Sequence, residues 1–144
     1  TPDAGRARIR PTVLACHPAF IEKDKPMTLG EAIDAVEETY EFMLAYAAQG
    51  RRKEDEDATG GIRASLSKAD AGLAVIAETM LPEAGGFLDV VRQDAAKASA
   101  AIRLVLAQPS ISSQLIDNLN ASIHVRALLT DLFLLDEALK ITPA

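Results

Sequence analysis

Residues 27–50, MTLGEAIDAVEETYEFMLAYAAQG, carry the signature of a helix with defined ends. Thr28 and Glu31 stand three residues apart, the spacing of a capping box, and Met27 can staple onto the first turn. Leu29, Ala32, Ile33, Val36, Tyr40, Met43 and Ala47 recur at intervals of three and four, while Asp34, Glu37, Glu38 and Glu41 take other faces. Gly50 stands where a helix end favours a left-handed residue. The expected helix runs over 28–50.

Three further segments repeat this period. Ile62, Leu66, Ala69, Leu73, Ile76 and Met80 predict a helix over 62–80, ended by Pro82. Phe87, Val91, Ala95, Ala98, Ile102 and Val105 predict another over 86–107, closed by Pro109. The last segment, 110–140, can be capped by Ser110 and opens on Ile111, Leu115, Ile116, Leu119 and Ile123. Its stripe then changes to Val125, Leu128, Leu129, Leu132, Leu135 and Leu139, turned by more than about a third of a turn. Asn118, Asn120 and Ser122, poor residues for a helix interior, mark the change, so the helix kinks or breaks there or meets two partners.

No segment of useful length alternates with period two. The expected fold is all-α: an up-and-down antiparallel four-helix bundle over residues 27–144, with 1–26 as an extended arm packed on it. Pro2, Pro11, Pro18 and Pro26 keep that arm from being helical, and Val13, Leu14, Phe20 and Ile21 are too apolar for a free tail. RRKEDEDATGG, residues 51–61, reads as a solvated loop.

A chain of 144 residues with 49% apolar and only 4% aromatic side chains builds one core from alanine and leucine. The net charge of −6 disfavours a nucleic-acid partner, and Arg6, Arg8 and Arg10 have no interleaved aromatics for stacking. No run approaches the roughly 18 apolar residues of a membrane span, so no membrane partner is expected. The single cysteine, Cys16, fits a reducing, cytoplasmic setting.

Few residues suggest chemistry. His124 shares a sector of its helix with Asp117, Asn120 and Asp131, and a carboxylate there could orient an imidazole. That sector also reads as the plain polar strip between two apolar stripes. HVRALL, residues 124–129, lacks the lysine and glycine that follow a phosphotransfer histidine, and the glutamate-x-x-histidine pairs of di-iron bundles are missing. Cys16 and His17, adjacent on an extended arm, point to opposite sides and make a poor ion pair, so a reactive Cys16 thiol would find its best partner in His124, were the arm to lie over the last helix. Gly60 and Gly61 followed by Arg63 could hold an anion, though a hinge serves as well. We therefore expect no catalytic residue, metal or cofactor.

The apolar surplus is the stronger signal. Phe42 and Tyr46 form a flank ridge on the first helix, covered either by the arm through Val13, Leu14, Phe20 and Ile21 or by a partner helix, and Leu128, Leu132, Phe133 and Leu134 point in more directions than three neighbours can cover. The expectation is a non-enzymatic, self-associating interaction module (adaptor, chaperone or regulator), most simply a two-fold homodimer, with a further protein partner. Glutamate at position 133 or 134 should disrupt it. The alternatives are a small-ligand sensor with an inter-helix pocket between the second and third helices, and an enzyme or phosphorelay element using His124.

Overall fold

The computed structural model describes residues 25–54 and 61–141, and within these the chain is all-helical, without strand. Five α-helices follow in order: α1 (Leu29–Ala48), α2 (Ile62–Glu78), α3 (Phe87–Leu106), α4 (Ser113–Ala121) and α5 (His124–Leu139), with a short 3-10 turn, Pro82–Ala84, before α3. The expected arm with Val13, Leu14, Phe20 and Ile21, and the pair Cys16 and His17, lie outside the described residues.

The ends of α1 are those its sequence specifies. The Thr28 hydroxyl accepts the Glu31 N–H at 3.1 Å, and Gly50 has φ +64° just beyond the last turn. α1 packs on α2 along one side and on α4 and α5 along the other; α3 packs between α2 and α5 and also touches α4. The α1–α2 approach is close because Gly72 has no Cβ: one built there would stand 3.0 Å from the Ala32 carbonyl oxygen. Met43, Leu66, Leu73, Ile76, Ile102, Ile116, Leu128 and Leu132 fill the common core.

One detail of the expected helices is corrected, and the disturbance in the last segment is resolved as a break. α2 stops at Glu78, because the Thr79 backbone turns extended, so Met80 is 73% exposed instead of lining the core. The segment 110–140 is two helices. Ser122 closes α4, its hydroxyl donating to the Leu119 carbonyl at 2.6 Å, and Ile123 sits left-handed at φ +65°. The Ala127 N–H then bonds the Ile123 carbonyl at 2.7 Å and α5 begins in a new orientation. Each half thus has one buried stripe: Ile116 and Leu119 in α4; Val125, Leu128, Leu129, Leu132 and Leu135 in α5.

Arg51–Glu54, expected to be solvated, are tied down. The Arg51 N–H donates to Ser113 Oγ and the Ser113 N–H to the Arg51 carbonyl, both at 2.8 Å. Ser113 Oγ donates in turn to the Tyr46 carbonyl, and Tyr46 Oη to the Ile111 carbonyl, each at 2.6 Å. Ser112 caps α4, its hydroxyl accepting the Leu115 N–H, while Ser110, the expected cap, accepts the Glu54 N–H. Glu54 accepts the Ile111 N–H at 2.8 Å and pairs with Arg63 at 2.7 Å. Arg63 also donates to the carbonyls of Leu106 and Gln108 at the end of α3, where a cation suits the helix dipole. Its guanidinium is thereby committed to the fold, which withdraws it as an anion ligand.

Candidate interaction surface on α5

The break at Ile123 decides where the candidate residues go. Once α5 is reoriented, Leu128 and Leu132 are 0% and 1% exposed, sealed inside the chain's own core. That is a correction: neither can face another subunit. Tyr46 is also buried, by its bond to Ile111. Phe42, 39% exposed, stacks on the Tyr46 ring with centroids 6.5 Å apart, and Arg51 lies 5.7 Å over that ring. This cluster borders Gly61, Ile62 and Arg63 at the start of α2. It does not extend the α5 surface, because Phe42 lies two residues, or about 200°, round α1 from the Tyr40 face that meets α5.

What remains exposed on α5 is Phe133 at 53% and Leu134 at 58%. Being adjacent on a helix, they point about 100° apart and open on different grooves. Phe133 stands with Leu129, Thr130 and Arg126 opposite Glu37, Tyr40, Glu41 and Leu44 of α1, around a groove of about 370 Å³. The groove continues into another of about 750 Å³ at the start of α1, bounded by Thr28, Leu29, Ile33, Leu132, Asp136 and Ile141. Leu134 lies on the other flank, with Glu83, Ala84, Phe87, Ala138 and Leu139 around a depression of about 230 Å³.

Charge is unevenly distributed along these flanks. The Glu37 carboxyl titrates above its ordinary range, through burial first and then repulsion from Asp34, Glu41 and Asp136. The α1–α5 groove is thus apolar along its floor and acidic along much of its rim.

His124 and Asp131 are not brought together as a pair. His124 is the first residue of α5, half-buried directly after the left-handed Ile123. Two turns on, Asp131 faces Asp94 of α3. Burial, then a hydrogen bond with Asp94 and the charge of Asp94, push its carboxyl up to about 7. Asp131 Oδ2 is buried without a hydrogen-bond partner. The sequence signal for this pair was present: Asp94 and Asp131 each lie beside a buried stripe, but only the α3–α5 packing reveals that they meet.

A third groove, about 670 Å³, lies between the end of α1 and the start of α4, with Arg51, Arg52, Ser112 and Asn120 among its walls. Asn120 Oδ1 is buried without a hydrogen-bond partner. Among the described residues no cluster of three or more His, Cys, Asp or Glu side chains could hold a metal ion, and no helix is long and apolar enough to cross a membrane. Comparison with known proteins finds no matching family, no matching curated protein and no matching solved structure.

Proposed function

We propose that the chain is a non-enzymatic protein-interaction module that self-associates through the outer side of α5. In this reading its helices form an up-and-down bundle whose fourth side is shared by α4 and α5, and it works in the cytoplasm as an adaptor, chaperone or regulator. The observation that carries the reading is the exposure of Phe133 and Leu134 side by side, each at the edge of an apolar groove. Covering a large apolar side chain is worth roughly 1.5–3 kcal/mol, and a groove between helices suits a helix or an extended peptide.

Their separation assigns them different roles. Leu134, with Phe87 and Leu139, offers the flank on which a second copy packs about a two-fold axis. Phe133 belongs to the longer, acidic groove, which suits a segment with basic flanks. The test is mass in solution at micromolar concentration. Wild type should sediment at twice the 15.3 kDa of the chain, Leu134→Glu at the monomer mass with unchanged helicity, and Phe133→Glu as a dimer. A wild-type monomer would sink the reading.

A small-ligand sensor is the second reading, favoured by the buried, unpartnered Asn120 Oδ1 beside Arg51 and Arg52. Its site would be the α1–α4 groove, not the seam between the second and third helices. A thermal-shift screen of small anions and amides in which none raises the melting temperature removes it.

A further inference from the structure

The α1–α5 groove begins where the described chain begins. Thr28 and Leu29, at the start of α1, line its upper part, and Glu37 and Phe133 join that part to the lower one. From Thr28 to Leu44, along the helix axis, it runs about 24 Å. Its floor offers Tyr40, Leu44 and Phe133; Asp34, Glu37, Glu41 and Asp136 stand around it, with Arg126 toward the far end.

The residues before Lys25 match this groove in apolar character and in reach. Residues 12–21, TVLACHPAFI, hold no acidic or basic side chain other than His17, and include Val13, Leu14, Phe20 and Ile21. Arg6, Arg8 and Arg10 stand before that stretch, while after it Lys23 and Lys25 alternate with Glu22 and Asp24 and leave no net charge. Ten extended residues span about 33 Å, so a chain folding back from Lys25 can cover the groove from end to end. Pro11 and Pro18 favour such extended backbone.

We propose that residues 12–21 dock in the α1–α5 groove of their own chain, running back along α1 with their apolar side chains over Phe133, Tyr40 and Leu44. This rests on the reading of α5 as an interaction surface and gives one of its flanks a resident occupant. A partner for that groove must displace the segment, whereas the Leu134 flank stays open to a second copy. Held by its own chain, the segment acts at an effective concentration in the millimolar range, so a weak intrinsic affinity suffices.

Cys16, the one cysteine of the chain, lies within this stretch and supplies the probe. A disulfide requires Cα atoms within about 7 Å. Glu41→Cys places a thiol on the groove rim, and Lys68→Cys places one at the α1–α2 edge beside Glu38, away from the groove; both native side chains are exposed, so folding is not at stake. In the full-length chain under mild oxidation, the Glu41→Cys variant should form an intrachain disulfide at least about ten times faster than the Lys68→Cys variant. Adding Phe20→Asp should abolish the difference. Equal rates at the two positions overturn the proposal. Covalent dimers in place of intrachain bonds overturn it as well, by placing another copy's segment in the groove. The solution mass of wild type, measured separately, reports whether the underlying reading itself has failed.

Discussion

The α2–α3 side of the molecule and the α4–α5 side bury similar residues by different means. α2 and α3 are each unbroken, with one stripe, and their seam is closed by small and branched side chains such as Ala69, Leu73, Ala95, Ala98 and Ile102. Polar contacts cross it at the edge, where Asp70 accepts from Ser99 and Arg103. On the α4–α5 side the apolar pattern turns part-way, and the backbone turns with it at Ile123. A change of apolar face can thus be absorbed by a break in the helix as readily as by a second subunit. The surplus left for other partners then shrinks from a whole stripe to Phe133 and Leu134.

The largest effect expected from this contrast is at Leu128. It is fully buried, so Leu128→Ala should cost about 3–4 kcal/mol through lost contacts and the cavity left behind. Leu134→Ala, on the exposed flank, should cost under about 1 kcal/mol when measured by denaturant unfolding of monomer. Similar losses at the two positions would mean that the core and surface of α5 are wrongly divided.

Next in size is Ser113. Its buried hydroxyl serves two backbone groups, accepting from the Arg51 N–H and donating to the Tyr46 carbonyl. Ser113→Ala removes the hydroxyl that accepts the Arg51 N–H and one of the two donors to the Tyr46 carbonyl, which keeps the Gln49 N–H, and should cost about 2–3 kcal/mol. An effect below about 0.5 kcal/mol would show that water replaces the hydroxyl and that Arg51–Glu54 are not held by it.

These two positions also show what the residues alone could convey. The stripes of α1, α2 and α3 were legible because each helix keeps one period, and Thr28 with Glu31 and Gly50 marked the ends of α1. The turn near Asn118–Ser122 was legible as a disturbance; its form, a left-handed Ile123, was not, since a β-branched residue is an improbable choice there. Assigning Leu128 and Leu132 to an interface followed from treating 110–140 as one straight rod. The Ser113–Arg51–Tyr46 network and the Asp94–Asp131 pair join residues far apart in sequence, and no local pattern records such contacts. Phe133 and Leu134 were identified from their directions on the helix, though not the different grooves they face.

A third, smaller effect is pH dependence across the α3–α5 contact. The Asp131 carboxyl titrates at about 7 in the folded chain against about 3.9 when unfolded, so the folded state holds its proton more tightly. Its stabilising contribution is complete below about pH 4 and is lost as pH rises to about 7, with little change above. Because Asp131 is only half-buried and water screens the pair, the loss should be about 2 kcal/mol, short of the ~4 kcal/mol of a fully dry carboxyl. Asp131→Asn stays neutral and can donate to Asp94, so it should be the more stable protein at pH 8 and nearly equal to wild type at pH 4. Parallel pH profiles for the two proteins would exclude a raised Asp131 carboxyl. Glu54, held low by Arg63, acts in the opposite sense and below this window, and it cancels in the comparison.

The smallest effect addresses the break itself. Ile123 has φ +65° and ψ −9°, a left-handed conformation in which its branched Cβ crowds the backbone at about 1–2 kcal/mol. Its side chain is 54% exposed, so little packing is lost on replacing it. Asparagine tolerates this conformation, and Ile123→Asn should stabilise the chain by about 0.5–1 kcal/mol, a rise of a few degrees in melting temperature. The same substitution should leave the solution mass unchanged, since Leu134 keeps its place on the outer flank. Destabilisation by Ile123→Asn would point instead to a continuous helix from 113 to 139. The two apolar stripes would then belong to one rod, and the case for covering the second with another subunit would return in full.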